Sequence, residues 1–337
     1  MVDIFNPQVS VVTKGLEGKL ILIYGTNRTG KTSNAVKAAK PLVVGFERGL
    51  NAISGVPYVP IKNWNDWTNT VKQLTGAKSE EAKKLYQTII VDTIDAMGDL
   101  AAEYVSGVYG VPSIGAGNRG YGLWKEYSAE INKWLRLLTN AGYTVIFIAH
   151  DDTREFLDEK GEKYSKVYPR GDKRVVDPIA DLCDFICFAQ PVAASDGSEN
   201  LSTLYLVGSR SFHAGSRFKY ITPSINEWNM EKLEQAISDA IAAEEKQSGK
   251  KSGDFKTVKK AVDKATASPY DNKTITELIE LCVAKGQKSL DKTGSPDEYL
   301  AIMQEELGTN DFKASAATEQ QRQQVIQLIE ALTKKGY

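Results

Sequence analysis

Eight residues constrain this chain more than any others. Gly25-Thr26-Asn27-Arg28-Thr29-Gly30-Lys31-Thr32 is a G-x-x-x-x-G-K-T run placed between an apolar segment, 20–25, and a helix-forming segment, 33–40. Gly25 and Gly30 permit a tight turn and close backbone approach, so successive N–H groups can surround phosphate oxygens. Lys31 adds a cation near the β and γ phosphates, and the Thr32 hydroxyl is a hard-oxygen ligand suited to Mg2+. Thr26, Asn27, Arg28, Thr29 and Ser33 complete the expected binding set, with ATP and Mg2+ as the cofactors.

The segments around this loop predict an α/β fold. LILIYG (20–25), LVVGFE (42–47), TIIVDT (88–93) and TVIFIAH (144–150) are near-continuous apolar runs, as expected of parallel strands covered on both faces. Segments 33–40, 65–86 and 123–142 repeat apolar residues at three and four and read as covering helices. After His150 a polar stretch, 151–177, precedes a strand at 185–193 and a hairpin over 201–221. The Gly- and aromatic-rich stretch 106–122 cannot form a strong helix throughout; it reads as a mobile loop or a connector.

Composition bounds the alternatives. A chain of 337 residues, 42% hydrophobic and 25% charged, fits about two ordinary domains and excludes collagen, a disordered chain and a disulfide scaffold. A net charge of −1 means that nucleic acid would need a local basic patch. Three cysteines and two histidines form neither a disulfide framework nor a zinc cluster, and Cys183 and Cys187 read as buried thiols. No apolar run reaches the roughly 18 residues of a membrane span, so a cytoplasmic protein is expected. The predicted organisation is an ATP-binding domain over 1–245, a linker over 246–254 and a small helical domain over 255–337. The helical domain has near-balanced charge and carries glycine stops at Gly286, Gly308 and Gly336.

Asp92, at the end of TIIVDT, is the expected second metal ligand beside Thr32, and Asp95 the expected cap of the following helix. The alternative makes Asp92 itself a helix cap. Hydrolysis also needs a group to orient or deprotonate the attacking water. Glu47, at the end of LVVGFE, is the expected base; the alternative is an exposed Glu47–Arg48 pair. His150, ending TVIFIAH at the same edge, is the expected γ-phosphate sensor, or else a structural hydrogen-bonder.

The order GTNRTGKT, strand-end Glu47, TIIVDT and FIAHDD resembles the RecA-like ATPase core, although Ala149-His150 stands where RecA carries an amide pair. With VVGFERGL and YPRGDKRVVDPIADLCDFICFA, residues 15 to 230 more closely resemble phage-encoded RecA-like proteins of the Sak single-strand-annealing group. The resemblance implies that the segment after His150 faces single-stranded DNA and that subunits form a homo-oligomer with ATP at their junctions. Arg154, Lys160, Lys163, Lys166, Arg170, Lys173 and Arg174 interleave there with Phe156, Tyr164 and Tyr168, a composition suited to phosphates and bases. Asp151, Asp152, Glu155, Asp158, Glu159, Glu162 and Asp172 share that stretch, so a solvated loop stays open as a reading. Arg210, and after it Arg217, lies where related rings carry a cation that reaches a neighbour's γ-phosphate; the alternative is an exposed basic hairpin. The function this implies is an Mg-dependent ATPase acting on single-stranded DNA in phage recombination or annealing. A ring helicase or loader, and an ATP-gated switch recruiting a replication partner through 255–337, remain the rival expectations.

Overall fold

The computed structural model describes residues 12–47, 53–192, 202–248, 270 and 273–337. The predicted helix over 255–266, and Arg48 with its proposed pairing, lie outside the described residues. The chain divides into two units, Met1–Val258 and Lys259–Tyr337.

In the first unit the apolar runs become β1 (Leu20–Gly25), β2 (Pro41–Gly45), β4 (Thr88–Asp92), β5 (Thr144–Ala149) and β8 (Phe185–Pro191). A short strand, β3 (Tyr58–Pro60), pairs with β2, and β9 (Ser202–Tyr205), β10 (Gly215–Ser216) and β11 (Ser224–Ile225) follow β8. The sheet order is β11-β9-β8-β1-β5-β4-β2-β3. From β8 to β3 every pairing is parallel. β9 and β10 instead run antiparallel to β8, and β11 antiparallel to β9. The predicted hairpin over 201–221 is therefore replaced by two separate returns onto β8.

Alternation along the strands builds two cores. Leu22, Tyr24, Val44, Val91, Val145 and Phe147 point to one face. There they meet α2 (Trp64–Thr75), α4 (Ile94–Val108), α5 (Trp124–Thr139) and α6 (Lys173–Leu182). Ile21, Ile23, Val43, Ile90, Ile146 and Ile148 point to the other, where α7 (Met230–Ser248) contributes Leu233, Ile237 and Ile241. Burial on both faces is why these runs read as continuously apolar. Cys183 and Cys187 are buried among them.

Four local expectations change. Segment 33–40 yields only α1 (Lys31–Ala35), after which the chain turns. Segment 65–86 splits into α2 and α3 (Ser79–Leu85) at Gly76, where a Cβ would lie 2.6 Å from the Lys72 carbonyl oxygen. The polar stretch after His150 is an antiparallel pair, β6 (Asp151–Leu157) and β7 (Lys163–Pro169), followed by α6. Residues 106–122 are neither loop nor linker throughout: they finish α4 and make two short turns that bury Ile114.

The second unit packs α8 (Ile275–Thr293), α9 (Asp297–Leu307) and α10 (Arg322–Lys334) around Leu278, Cys282, Ile302, Met303, Val325, Leu328, Ile329 and Leu332. Gly308, at φ +68°, ends α9 as expected. Gly286 does not end a helix; it lies inside α8, which stops at Gly294 (φ +70°). A Cβ at Gly286 would sit 3.0 Å from Tyr299 Cε2, so its role is close helix approach. In the first unit α7 continues to Ser248, into the segment expected as linker.

Candidate nucleotide-binding site

The site sits outside the carboxyl ends of β1, β2, β4 and β5, where a parallel sheet opens a crevice. β1 ends at Gly25, whose φ is +150° and whose missing side chain leaves room for β8: a Cβ there would lie 2.1 Å from the Ala189 carbonyl oxygen. The loop then closes at Gly30 in the left-handed region, immediately before α1. Thr29 is buried and turned inward. Its hydroxyl donates to the Thr26 carbonyl (3.0 Å), and its carbonyl accepts from Ser202 Oγ (2.8 Å) and Trp228 Nε1 (3.3 Å). Those two residues, distant in sequence, fix the loop from outside it.

Asn27, Arg28, Gly30, Lys31, Thr32, Ser33, Glu47, Asp92, Thr93 and His150 line one cleft of about 350 Å³. Lys31 Nζ donates to the carbonyls of Gly25 and Thr26, each at 2.7 Å. Burial pulls its ammonium below the ordinary lysine value, while Asp151, Asp92, Asp95 and Glu47 pull it back up. Thr32 Oγ1 donates to Asp92 Oδ2 at 2.8 Å, so the two expected metal ligands meet side chain to side chain. Burial raises the Asp92 carboxyl above its ordinary value, against the Thr32 hydrogen bond. The hard oxygens of Thr32 and Asp92, held together by their hydrogen bond, form a donor pair that fits a divalent cation.

Glu47 lies two residues beyond β2, with Oε1 accepting from Thr93 Oγ1 at 3.0 Å. His150 follows β5 directly, with Nδ1 2.8 Å from Asp95 Oδ2. The Asp95 hydrogen bond holds the imidazole above its ordinary value, against burial. Burial works against Asp95 too, but the His150 hydrogen bond and its neighbours leave that carboxyl below its ordinary value. Asp95 is thus not the helix cap expected from sequence. That position belongs to Thr93, whose Oγ1 accepts from Ala96 N at 3.5 Å. Thr93, Asp95 and Asp151 are the members that sequence reasoning missed. A threonine and a carboxylate at a helix start carry the same signal whether they cap or reach into a cleft.

The β6–β7 pair sorts its mixed charges by face. Cross-strand partners Asp152–Tyr168, Arg154–Lys166 and Phe156–Tyr164 share one side, whereas Asp151 and Glu155 point to the other. On the first side Phe156 meets Tyr164 (5.7 Å) and Tyr168 (5.9 Å), and Tyr168 stacks on His213 (4.4 Å). Arg154 covers Tyr168 and Arg210 covers Tyr164. Arg210 also binds Asp158 at 3.1 Å, and Arg217 lies 3.5 Å from Asp184, beside the start of β8. Neither arginine lines the cleft of its own chain. Arg174 binds Asp172, Lys163 binds Glu155, and Lys160 is exposed at the turn.

A family model described as an AAA domain matches residues 17–218. The SPbeta prophage-derived uncharacterized protein YorG of Bacillus subtilis (strain 168) is 40% identical over 325 residues, covering 96% of this chain and 94% of its own. A crystal structure of the RadB recombinase aligns with 57% of this chain and 81% of that chain, at 17% identity and a TM-score of 0.34. No described helix is long and apolar enough to cross a membrane.

Proposed function

The chain belongs to the AAA domain family, and from that premise we propose that it is an Mg-dependent ATPase of RecA-like type that acts on single-stranded DNA. The observation that carries the reading is the convergence of Lys31, the Thr32–Asp92 pair, Glu47 and His150 on one cleft. Lys31, freed from the Gly25 and Thr26 carbonyls, holds the β and γ phosphates, while the loop N–H groups surround them. Thr32 and Asp92 hold Mg2+, which when bound neutralises charge on the phosphate oxygens. Glu47 takes the proton of the attacking water. His150, as an imidazolium with Nδ1–H on Asp95, donates through Nε2–H to the γ-phosphate and senses its loss.

The aromatic and cationic side of β6–β7 supports single-stranded DNA as the partner. Bases stack on aromatic faces, and Arg154, Lys166 and Arg210 suit phosphates. His150 leads directly into β6, so nucleotide state and DNA contact are one peptide bond apart. Prophage kinship favours a role in phage recombination or annealing of the Sak type, within the host cytoplasm. In a homo-oligomer with ATP at the junctions, Arg210 or Arg217 would leave its carboxylate partner for a neighbour's γ-phosphate, stabilising charge in the transition state.

The test is ATP turnover with and without single-stranded DNA. Lys31→Ala should lose nucleotide affinity. Glu47→Gln should bind ATP and turn over at least tenfold slower, a barrier increase of about 1.4 kcal/mol or more. Normal turnover by Glu47→Gln removes Glu47 as the base. ATP-driven strand unwinding selects the helicase reading, and binding without turnover selects the switch.

A further inference from the structure

Glu47 and His150 arrive at the cleft from different strands, yet both are held by the same element. Thr93 donates to Glu47, and Asp95 pairs with His150; both belong to the start of α4, which follows Asp92 without a gap. We propose that Thr93 and Asp95 are positioning residues, so that the run Asp92-Thr93-Ile94-Asp95 sets in one turn the metal ligand, the base and the γ-phosphate sensor. This rests on the ATPase reading above and extends it to two residues that touch neither phosphate nor metal in it.

The chemistry follows from donor counts. A carboxylate accepts only, so the His150 nitrogen facing Asp95, Nδ1, carries a proton. In the neutral ring Nε2 would then only accept, so donation from Nε2 into the cleft requires the imidazolium, the form that the Asp95 carboxylate stabilises. Without Asp95 the ring is free to swing and loses the carboxylate that favours its doubly protonated form, so an oriented Nε2–H is no longer held toward the cleft. Thr93 acts differently. Its hydroxyl occupies one oxygen of Glu47 and leaves the other for a water proton, fixing which lone pair faces the phosphate. The turn is well placed to do this because a helix start locks backbone geometry more firmly than the ends of loops do. Three charged groups besides Asp95 bear on His150: Glu47 after β2, Lys31 on α1 and Asp92 on β4.

Histidine nitrogen NMR on the nucleotide-free protein tests the geometry without turnover. The chain has two histidines, so His213→Gln assigns both rings. The His150 ring should show a protonated Nδ1 in the native protein, and Asp95→Asn should change its tautomer balance and move its titration to lower pH. Turnover tests the role. Asp95→Asn and Thr93→Val should each lower kcat about tenfold, with KM for ATP changed less than about threefold. Thr93→Ser, which keeps the hydroxyl, should restore the rate, as should Asp95→Glu in part. Thermal melting with and without ATP separates misfolding from misplacement. An unchanged His150 spectrum in Asp95→Asn overturns the pairing. Normal kcat in Asp95→Asn and Thr93→Val, beside a slow Glu47→Gln, overturns the positioning role while leaving the ATPase intact. Normal turnover by Glu47→Gln removes the reading beneath it, whatever the spectra show.

Discussion

Thr32 Oγ1 lies 2.8 Å from Asp92 Oδ2, a hydrogen bond between side chains 60 residues apart. It ties the phosphate loop to the neighbouring strand system across β5, because β1 and β4 both pair with β5. The Asp92 carboxylate is nearly fully buried, and the Thr32 hydroxyl offsets part of the cost of keeping it there. The arrangement holds two hard oxygens together where a cation can use both.

That cost leads to the first prediction. Asp92→Asn removes a buried charge and keeps an oxygen that can accept from Thr32. Without metal the variant should unfold in urea at the same or higher midpoint than the native protein, at neutral pH. Its turnover should fall at least tenfold and respond weakly to added Mg2+. Stability and activity would then move in opposite directions, as expected at a site built for ligand binding. A variant that loses both would assign Asp92 a mainly structural role.

The His150–Asp95 pair makes stability depend on pH in a defined window. His150 titrates above its ordinary 6.5 in the folded chain, so its contribution is complete below 6.5 and lost as pH rises through the folded value. Asp95 titrates below its ordinary 3.8, so its contribution is present above 3.8 and lost as pH falls through the folded value. Between these limits the pair is at full strength. His150→Gln should therefore destabilise the protein more at pH 6 than at pH 8.5, by urea unfolding at both. Equal losses at the two pH values would count against a charged pair.

Gly25 offers a steric prediction. With φ at +150° and the Ala189 carbonyl 2.1 Å from a built Cβ, Gly25→Ala forces β1 and β8 apart at the mouth of the site. The expected loss is about 1–3 kcal/mol of stability, read from the urea midpoint. Nucleotide affinity should fall with it, since the displaced segment carries the carbonyl that holds Lys31.

For the β6–β7 surface, the expectation separates stacking from charge. Phe156→Ala and Tyr164→Ala should each weaken binding of single-stranded DNA by about 1–3 kcal/mol. Lys166→Ala should weaken it evenly across sequences and flatten the salt dependence, by a slope of about 0.7 for one lost phosphate contact. Glu155→Ala, on the opposite side, should change little. Titrations by fluorescence anisotropy at several salt concentrations distinguish these outcomes.

Much of the site was legible because its members fall at strand ends. Gly25, Asp92 and His150 each close or follow an apolar run, and a parallel sheet places such positions on one edge whatever the register. Charge along 151–169 was not legible: Arg154 and Glu155 are neighbours in the chain and opposites in space. Only the knowledge that this stretch is a β-pair, with its period of two, separates them. Gly286 misled for a similar reason, since a helix-ending glycine and one that admits Tyr299 look alike in a linear string.

The amino-acid order alone determined the class of fold and the place of the phosphate loop, because apolar periodicity and glycine stereochemistry are local properties. Tertiary structure decided which side chains serve which. Asp95 turned from presumed cap to partner of His150, Thr93 took the cap while holding Glu47, and Ser202 and Trp228 braced a loop more than 170 residues away. Those choices depend on the direction of a side chain across a packed interface, and that direction is set by neighbours that sequence distance does not reveal.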